Sequence, residues 1–165
     1  MVQGTTHPRF TQCRDALAAN LADGYDLGCA LAVVKDGEIV VDLWGGFADG
    51  ARTRPWARDT LVNIWSTTKG VMALAAAMAV ERGQLSYDAP LAQVWPEFAA
   101  GGKGAITLDL VMSHRAGLNG LSVPMDLDGM YGWHPYVDAL AAMEPLWEPG
   151  SRCVYHALSY GHLVG

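Results

Sequence analysis

Apolar positions change their spacing along the chain, and each change marks an element. From Pro8 to Ala22 they recur as Phe10, Cys13, Leu17 and Leu21. That spacing predicts an amphipathic helix over residues 8–22, opened by Pro8 and closed by Asp23-Gly24. Residues 28–34, Gly-Cys-Ala-Leu-Ala-Val-Val, read as a strand, and Ile39 to Trp44 as its antiparallel return. Asp36-Gly37 between them is a two-residue hairpin turn, because both positions tolerate positive φ. Gly45-Gly46 is expected to break the second strand, and residues 47–60 to form a polar, proline-containing loop. The run Gly70 to Val80 carries no charge and predicts a buried helix that ends at Gly83.

Shorter pieces follow. Leu85 to Phe98 reads as a turn plus a short helix around Leu91 and Val94. Ile106 to Met112 reads as another short helix, with Thr107 as its N-cap. Residues 117–134 are rich in glycine and are expected to form one long loop, a length that often serves function. Pro135 to Met143 is a short helix, and Pro145, Pro149 and Gly150 make the next turn. The chain stops at Leu163-Val164-Gly165 inside an apolar segment with no helix-end signal, so it reads as truncated at its C-terminus. A lone hairpin is marginal as a sheet. Further strands are therefore expected from sequence outside these 165 residues.

Composition narrows the function classes. Hydrophobic residues make up 51% and charged residues 17%, which is globular rather than disordered. A net charge of −6 argues against a nucleic-acid partner, since phosphate binding needs clustered lysine and arginine. The one local basic cluster, Arg52, Arg54 and Arg58, reads as a solvated loop. Cys13, Cys29 and Cys153 have no metal or redox spacing and are expected as free thiols in a reducing compartment. The N-terminus lacks a basic start followed by an apolar stretch, and no apolar run is long enough to span a bilayer. With Met1 as the true start, a soluble cytoplasmic protein without a membrane partner is expected. No phosphate-cradling glycine loop appears, so no cofactor is expected, and the sequence sets no oligomeric state.

Chemistry enters at Ser66-Thr67-Thr68-Lys69, at the head of the apolar helix. Positions i and i+3 share a helix face, so the Ser66 hydroxyl and the Lys69 amine can meet. A serine becomes a nucleophile when a neighbouring base takes its proton, and a lysine is that base only when neutral. Burial against an apolar helix favours the neutral amine, and the positive helix N-terminus favours an oxyanion. Alone, this spacing also suits an N-cap serine followed by a surface lysine. A second constellation lies at Glu148-Pro149-Gly150-Ser151-Arg152-Cys153-Val154-Tyr155-His156-Ala157. Its Pro-Gly turn delivers Tyr155 near a helix start, where a phenol can relay the serine proton to a leaving group. His114 reads as a buried, hydrogen-bonded histidine. His134, His156 and His162 lack the spacing of a helical metal pair, and His156 reads as a cleft-lining neighbour of Tyr155. Trp44, Trp65, Trp133 and Trp147 read as core rather than an acyl pocket, although Trp133, in the long loop, could shape the substrate entrance.

Together these segments resemble the serine β-lactamase-like hydrolases and, within them, the family VIII esterases. Gly28–Trp44 is similar to the family's opening hairpin, and Asp59 to Gly70 to its nucleophile segment. Glu81 to Asp88, followed by Trp95 to Phe98, resembles its connector. Ile106 to Leu118 resembles its His-x-Ser-Gly-Leu segment, with Ala116 where serine is usual. The resemblance implies an α+β fold of the β-lactamase/transpeptidase type, an α/β sandwich plus a helical domain. Residues 1–60 would begin the α/β part, residues 61–165 would form the helical part, and the site would lie in the cleft between them.

The resemblance makes Ser66 the nucleophile, Lys69 the general base and Tyr155 the proton-transfer partner. Whether Lys69 or Tyr155 takes the first proton stays open. The Ser66 backbone N–H would be one oxyanion donor. The family's second donor comes from a C-terminal strand near a third motif, which this chain lacks, so the 165 residues alone are expected to have little activity. Where class C β-lactamases carry an asparagine two residues after the tyrosine, Ala157 stands here. That favours a serine carboxylesterase acting on small, short-acyl esters. The alternatives are a β-lactamase or D-amino-acid peptidase on the same scaffold, and a binding protein without activity.

Overall fold

The computed structural model describes residues 1–165, which form three strands and six helices. They fall into two compact units, Met1–Asn63 and Ile64–Gly165. In the first unit, β2 (Gly28–Lys35) and β3 (Glu38–Gly46) make the expected hairpin. Asp36 and Gly37 both take left-handed backbone, with φ of 54° and 83°, which is the turn that follows the twist of paired strands.

The sheet holds a third strand. β1 (Val2–Thr6) pairs antiparallel with β3, giving the order β1-β3-β2. The hairpin therefore gains a third strand from the chain's own first residues, which the sequence pattern did not announce. Five residues interrupted by Gly4 carry too little alternation to announce a strand, and their partner, β3, is distant in sequence. Nor does Gly45-Gly46 break β3. Both glycines stay in the ladder, opposite Cys29 and Gly28. They are glycines for room: a Cβ on Gly46 would lie 2.3 Å from the Leu27 carbonyl and 2.7 Å from Leu21 Cδ2.

Leu21 belongs to α1 (Thr11–Ala22), which a 3-10 turn at Pro8–Phe10 leads into. Its half-buried face is the predicted one, Cys13, Leu17 and Leu21 after Phe10, and the helix packs on β1 and β3. Arg14 ties it down, donating to the carbonyls of Val2 at 3.3 Å and Gly4 at 2.7 Å.

The second unit is helical. Leu91, Phe98, Ile106, Val111, Leu118, Tyr136, Leu140 and Leu163 pack into its core. They come from two 3-10 segments, Leu91–Gln93 and Pro96–Gly102, the loops between elements, and three helices: α3 (Leu108–Met112), α5 (His134–Ala142) and α6 (Ser159–Val164). Thr107 caps α3 as expected, its hydroxyl accepting from Leu110 N–H at 3.4 Å. The expected long loop is interrupted by α4 (Leu127–Tyr131), whose cap Asp126 accepts from Gly129 N–H at 2.8 Å.

Burial departs from the sequence pattern in two places. Helix α2 (Thr68–Glu81) forms where predicted, but only Ala76 is buried. Val71, Leu74 and Met78 are 57%, 62% and 42% exposed. Apolar composition sets that a helix forms, not that these residues are covered. Lys103, by contrast, lies between the predicted elements and is fully buried. Its ammonium donates to the carbonyls of Ala100, Ala141 and Met143. Burial pushes its pKa down, against a smaller opposing effect of Glu144. No helix is long and apolar enough to cross a membrane.

Candidate active site

Ser66, Lys69 and Tyr155 all lie in the second unit. Ser66 sits in a 3-10 turn, Trp65–Thr67, that runs directly into α2. One turn on, Lys69 points its ammonium back at the serine, with Nζ 3.4 Å from Ser66 Oγ. Lys69 Nζ also donates to the Ala157 carbonyl at 2.9 Å and stands 4.8 Å from the centre of the Tyr155 ring. Position 157 thus reaches the site through its backbone oxygen, a contact that no side-chain pattern announces.

Tyr155 is half exposed and completes the group. The neighbouring Ser66 and Lys69 side chains hold its phenol below the usual pKa, against a smaller effect of burial. The three predicted residues therefore converge.

The loop that presents Tyr155 is held from the side by residues 114–118. Gly150 N–H donates to the Arg115 carbonyl at 2.9 Å and Leu146 N–H to the Gly117 carbonyl at 2.8 Å. Arg115 returns a bond to the Gly150 carbonyl at 2.7 Å. Gly117 is left-handed at φ 78°, and a Cβ there would lie 2.6 Å from the Trp147 carbonyl. The segment read as a family signature is thus the rail on which the tyrosine loop is mounted.

His156 does not line a cleft. It is fully buried, accepting from Leu118 N–H at Nε2 (3.2 Å), which leaves Nδ1–H to donate to the Val154 carbonyl at 2.6 Å. One neutral tautomer satisfies both bonds, and burial lowers its pKa. The next residue along a loop is as free to turn inward as outward, so adjacency to Tyr155 did not settle its direction. His114 is half-buried and hydrogen-bonded, and its pKa is lowered by burial and then by the Lys69 charge.

Trp65 is another correction. It is 79% exposed rather than core, and together with Ser66, Lys69, Met72, Leu158 and Gly161 it lines a cavity of about 390 Å³. Its backbone is left-handed, at φ 48°. Gly161 opens the cavity: a Cβ there would meet nothing within 4 Å. Arg58, in the loop read as solvated, bonds Asp42 at 2.8 Å from an exposed position.

A β-lactamase family model matches residues 14–165. The chain belongs to the β-lactamase family. That family is a group of serine hydrolases that includes esterases, and its β-lactamase/transpeptidase-like fold is the one described above. The chain is 39% identical over 163 residues to the esterase/β-lactamase LipL of Mycobacterium tuberculosis (strain ATCC 25618 / H37Rv), covering 99% of this chain and 38% of LipL. Among solved structures, a family VIII carboxylesterase superposes with a TM-score of 0.94 at 45% identity, covering all of this chain and 45% of that one. A penicillin-binding protein homologue from Caulobacter crescentus superposes with a TM-score of 0.96 at 44% identity, covering 44% of its own length. The chain thus spans less than half the length of the relatives it matches.

Proposed function

We propose that this chain carries the acyl-transfer centre of a serine carboxylesterase for small, short-acyl esters. The observation that carries the reading is the convergence of three side chains. Lys69 Nζ is 3.4 Å from Ser66 Oγ and 4.8 Å from the Tyr155 ring centre, and both side chains hold the Tyr155 phenol below its usual pKa.

In this reading Tyr155 takes the first proton, supported by its lowered pKa, and the nearby Lys69 charge favours its anion. Ser66 Oγ bonds to the ester carbonyl carbon as its proton passes to Tyr155. The tetrahedral oxyanion takes a hydrogen bond from the Ser66 N–H. The carbon–alkoxide bond then breaks, Tyr155 returns the proton to the departing alcohol, and an acyl-serine remains. Water repeats the cycle to release the acid. The apolar cavity lined by Trp65, Met72, Leu158 and Gly161 receives the apolar part of the ester. Ala157 has no side-chain amide to offer a lactam, and esters carry a better leaving group than amides, so they lose least without that contact.

The test is covalent labelling, which needs one bond-forming step and no turnover. Incubation with diethyl 4-nitrophenyl phosphate should add one diethylphosphoryl group to Ser66, located by peptide mass spectrometry. Ser66→Ala should take none. An unlabelled Ser66 in the folded wild-type chain would overturn the acyl-serine reading. Faster reaction with a chromogenic cephalosporin than with 4-nitrophenyl acetate would replace the ester preference by a lactam one.

A further inference from the structure

His114 touches the tyrosine loop at three points. Its carbonyl accepts from Val154 N–H at 3.0 Å, the residue before Tyr155. Its ring Nδ1 accepts from His156 N–H at 3.1 Å, the residue after Tyr155. Its ring packs against the phenol itself, with centres 5.0 Å apart at 59°. One side chain and its own backbone therefore hold Tyr155 from both sides and from its face. The backbone at His114 is left-handed, at φ 62°, a conformation that few residues adopt without a compensating contact.

The Nδ1 bond has a chemical condition. An imidazole nitrogen accepts only while it is unprotonated, so the bond from His156 N–H assigns the neutral ring with its proton on Nε2. A proton added at Nδ1 turns the acceptor into a donor facing another donor. It also places a second cation beside Lys69. The titratable groups that face His114 are Lys69 from α2, Tyr155 and His156 from the loop, and Tyr160 from α6, whose ring centre is 5.0 Å away. None of the four is a carboxylate that would hold a proton on the ring.

We propose that His114 is the positioning residue of Tyr155: its neutral imidazole locks the phenol against Ser66 and Lys69, and protonation at Nδ1 releases it. The geometry supplies an acid switch on the tyrosine loop, one step removed from the reacting atoms. Burial and the Lys69 charge both oppose that proton, so the switch operates below the ordinary histidine range. The idea rests on the acyl-serine reading only where reactivity is concerned, since the lock itself is a property of the folded loop.

The decisive substitution is His114→Asn. Asparagine tolerates left-handed backbone, and its carbonyl oxygen can take the place of Nδ1 as acceptor, but it does not titrate. Two readouts apply to the 165-residue chain. In the first, NMR follows the His114 ring, the His156 amide and the Tyr155 ring carbon across pH. The amide and the tyrosine should move with the same midpoint as the His114 ring, and in His114→Asn that shared transition should vanish. In the second, the rate of Ser66 phosphorylation by diethyl 4-nitrophenyl phosphate is measured against pH. With Tyr155 as base, the wild-type rate should fall about tenfold per pH unit above the His114 midpoint and about a hundredfold per unit below it. His114→Asn should fall about tenfold per unit throughout.

A His156 amide and a Tyr155 signal that ignore the His114 titration would overturn the lock. A wild-type acid limb that persists unchanged in His114→Asn would overturn the switch. Failure of Ser66 to react at all would sink the acyl-serine reading and leave the NMR readout to judge the lock alone. Should His114→Asn not fold, the wild-type NMR titration still decides the matter.

Discussion

The helical unit contains two apolar surfaces of opposite fate. Phe98, Val111, Leu118 and Leu140 are shut off from solvent in its core, while Val71, Leu74 and Met78 on α2 lie open. Both sets are built from the same residue types, so composition does not separate them. The difference is in partners. The core residues come from short segments and helices that close on one another, and each finds apolar neighbours. On α2, one face meets α6 and Val80 reaches the core, while the stripe of Val71, Leu74 and Met78 stays exposed. The polar groups divide in the same way. Lys103 and His156 are sealed among backbone partners, whereas Ser66 and Tyr155 are open to solvent. The closed region holds the packing, and the open one holds the proposed acyl-transfer centre.

Truncation should expose this contrast on a scale of free energy. Phe98→Ala should cost about 3–5 kcal/mol in urea unfolding, through lost transfer energy plus the cavity left behind. A cost under about 1 kcal/mol would mean that the core is no better packed than the helix face. Next comes Lys103→Met, expected to cost about 3 kcal/mol because three backbone acceptors lose their donor. An unchanged midpoint would show that water replaces the ammonium and that the site is not closed.

The pH dependence is smaller. His114 and His156 both have lowered pKa values in the fold. As pH falls through the ordinary histidine value of about 6.5, the unfolded chain takes up protons first. Stability is therefore constant above that value and declines below it, by at most ~1.4 kcal/mol per pH unit for each histidine. His156→Gln should flatten the decline measured between pH 7 and pH 5. A decline of equal slope in that variant would remove His156 from the account. The smallest effect is expected on the open face. Leu74→Ala should shift the unfolding free energy by less than about 1 kcal/mol, because its side chain is already mostly hydrated. A loss as large as that of Phe98→Ala would mean that the stripe is covered in solution.

Much of the architecture was legible from local pattern. Asp36-Gly37 announced its turn, because residues that accept positive φ are few. Phe10, Cys13, Leu17 and Leu21 announced the buried face of α1, and the spacing of Ser66 and Lys69 announced their meeting, because helical geometry is local. Tyr155 was legible through its turn and through family resemblance.

Distance in sequence hid the rest. β1 depends on pairing with a strand far along the chain, and Gly45-Gly46 depends on how closely Leu21 and Leu27 approach. Lys103 is buried because carbonyls from two separate segments surround it, and His156 turns inward because Leu118 and Val154 present partners there. The sequence by itself determined the hairpin turn, helices α1 and α2, and which hydroxyl meets which amine. Only the tertiary structure decided which apolar faces are covered, which lysine is sealed and which histidine grips the tyrosine loop. Periodicity within one helix or turn is written in neighbouring residues, whereas burial and hydrogen-bond partnership depend on groups that folding alone brings together.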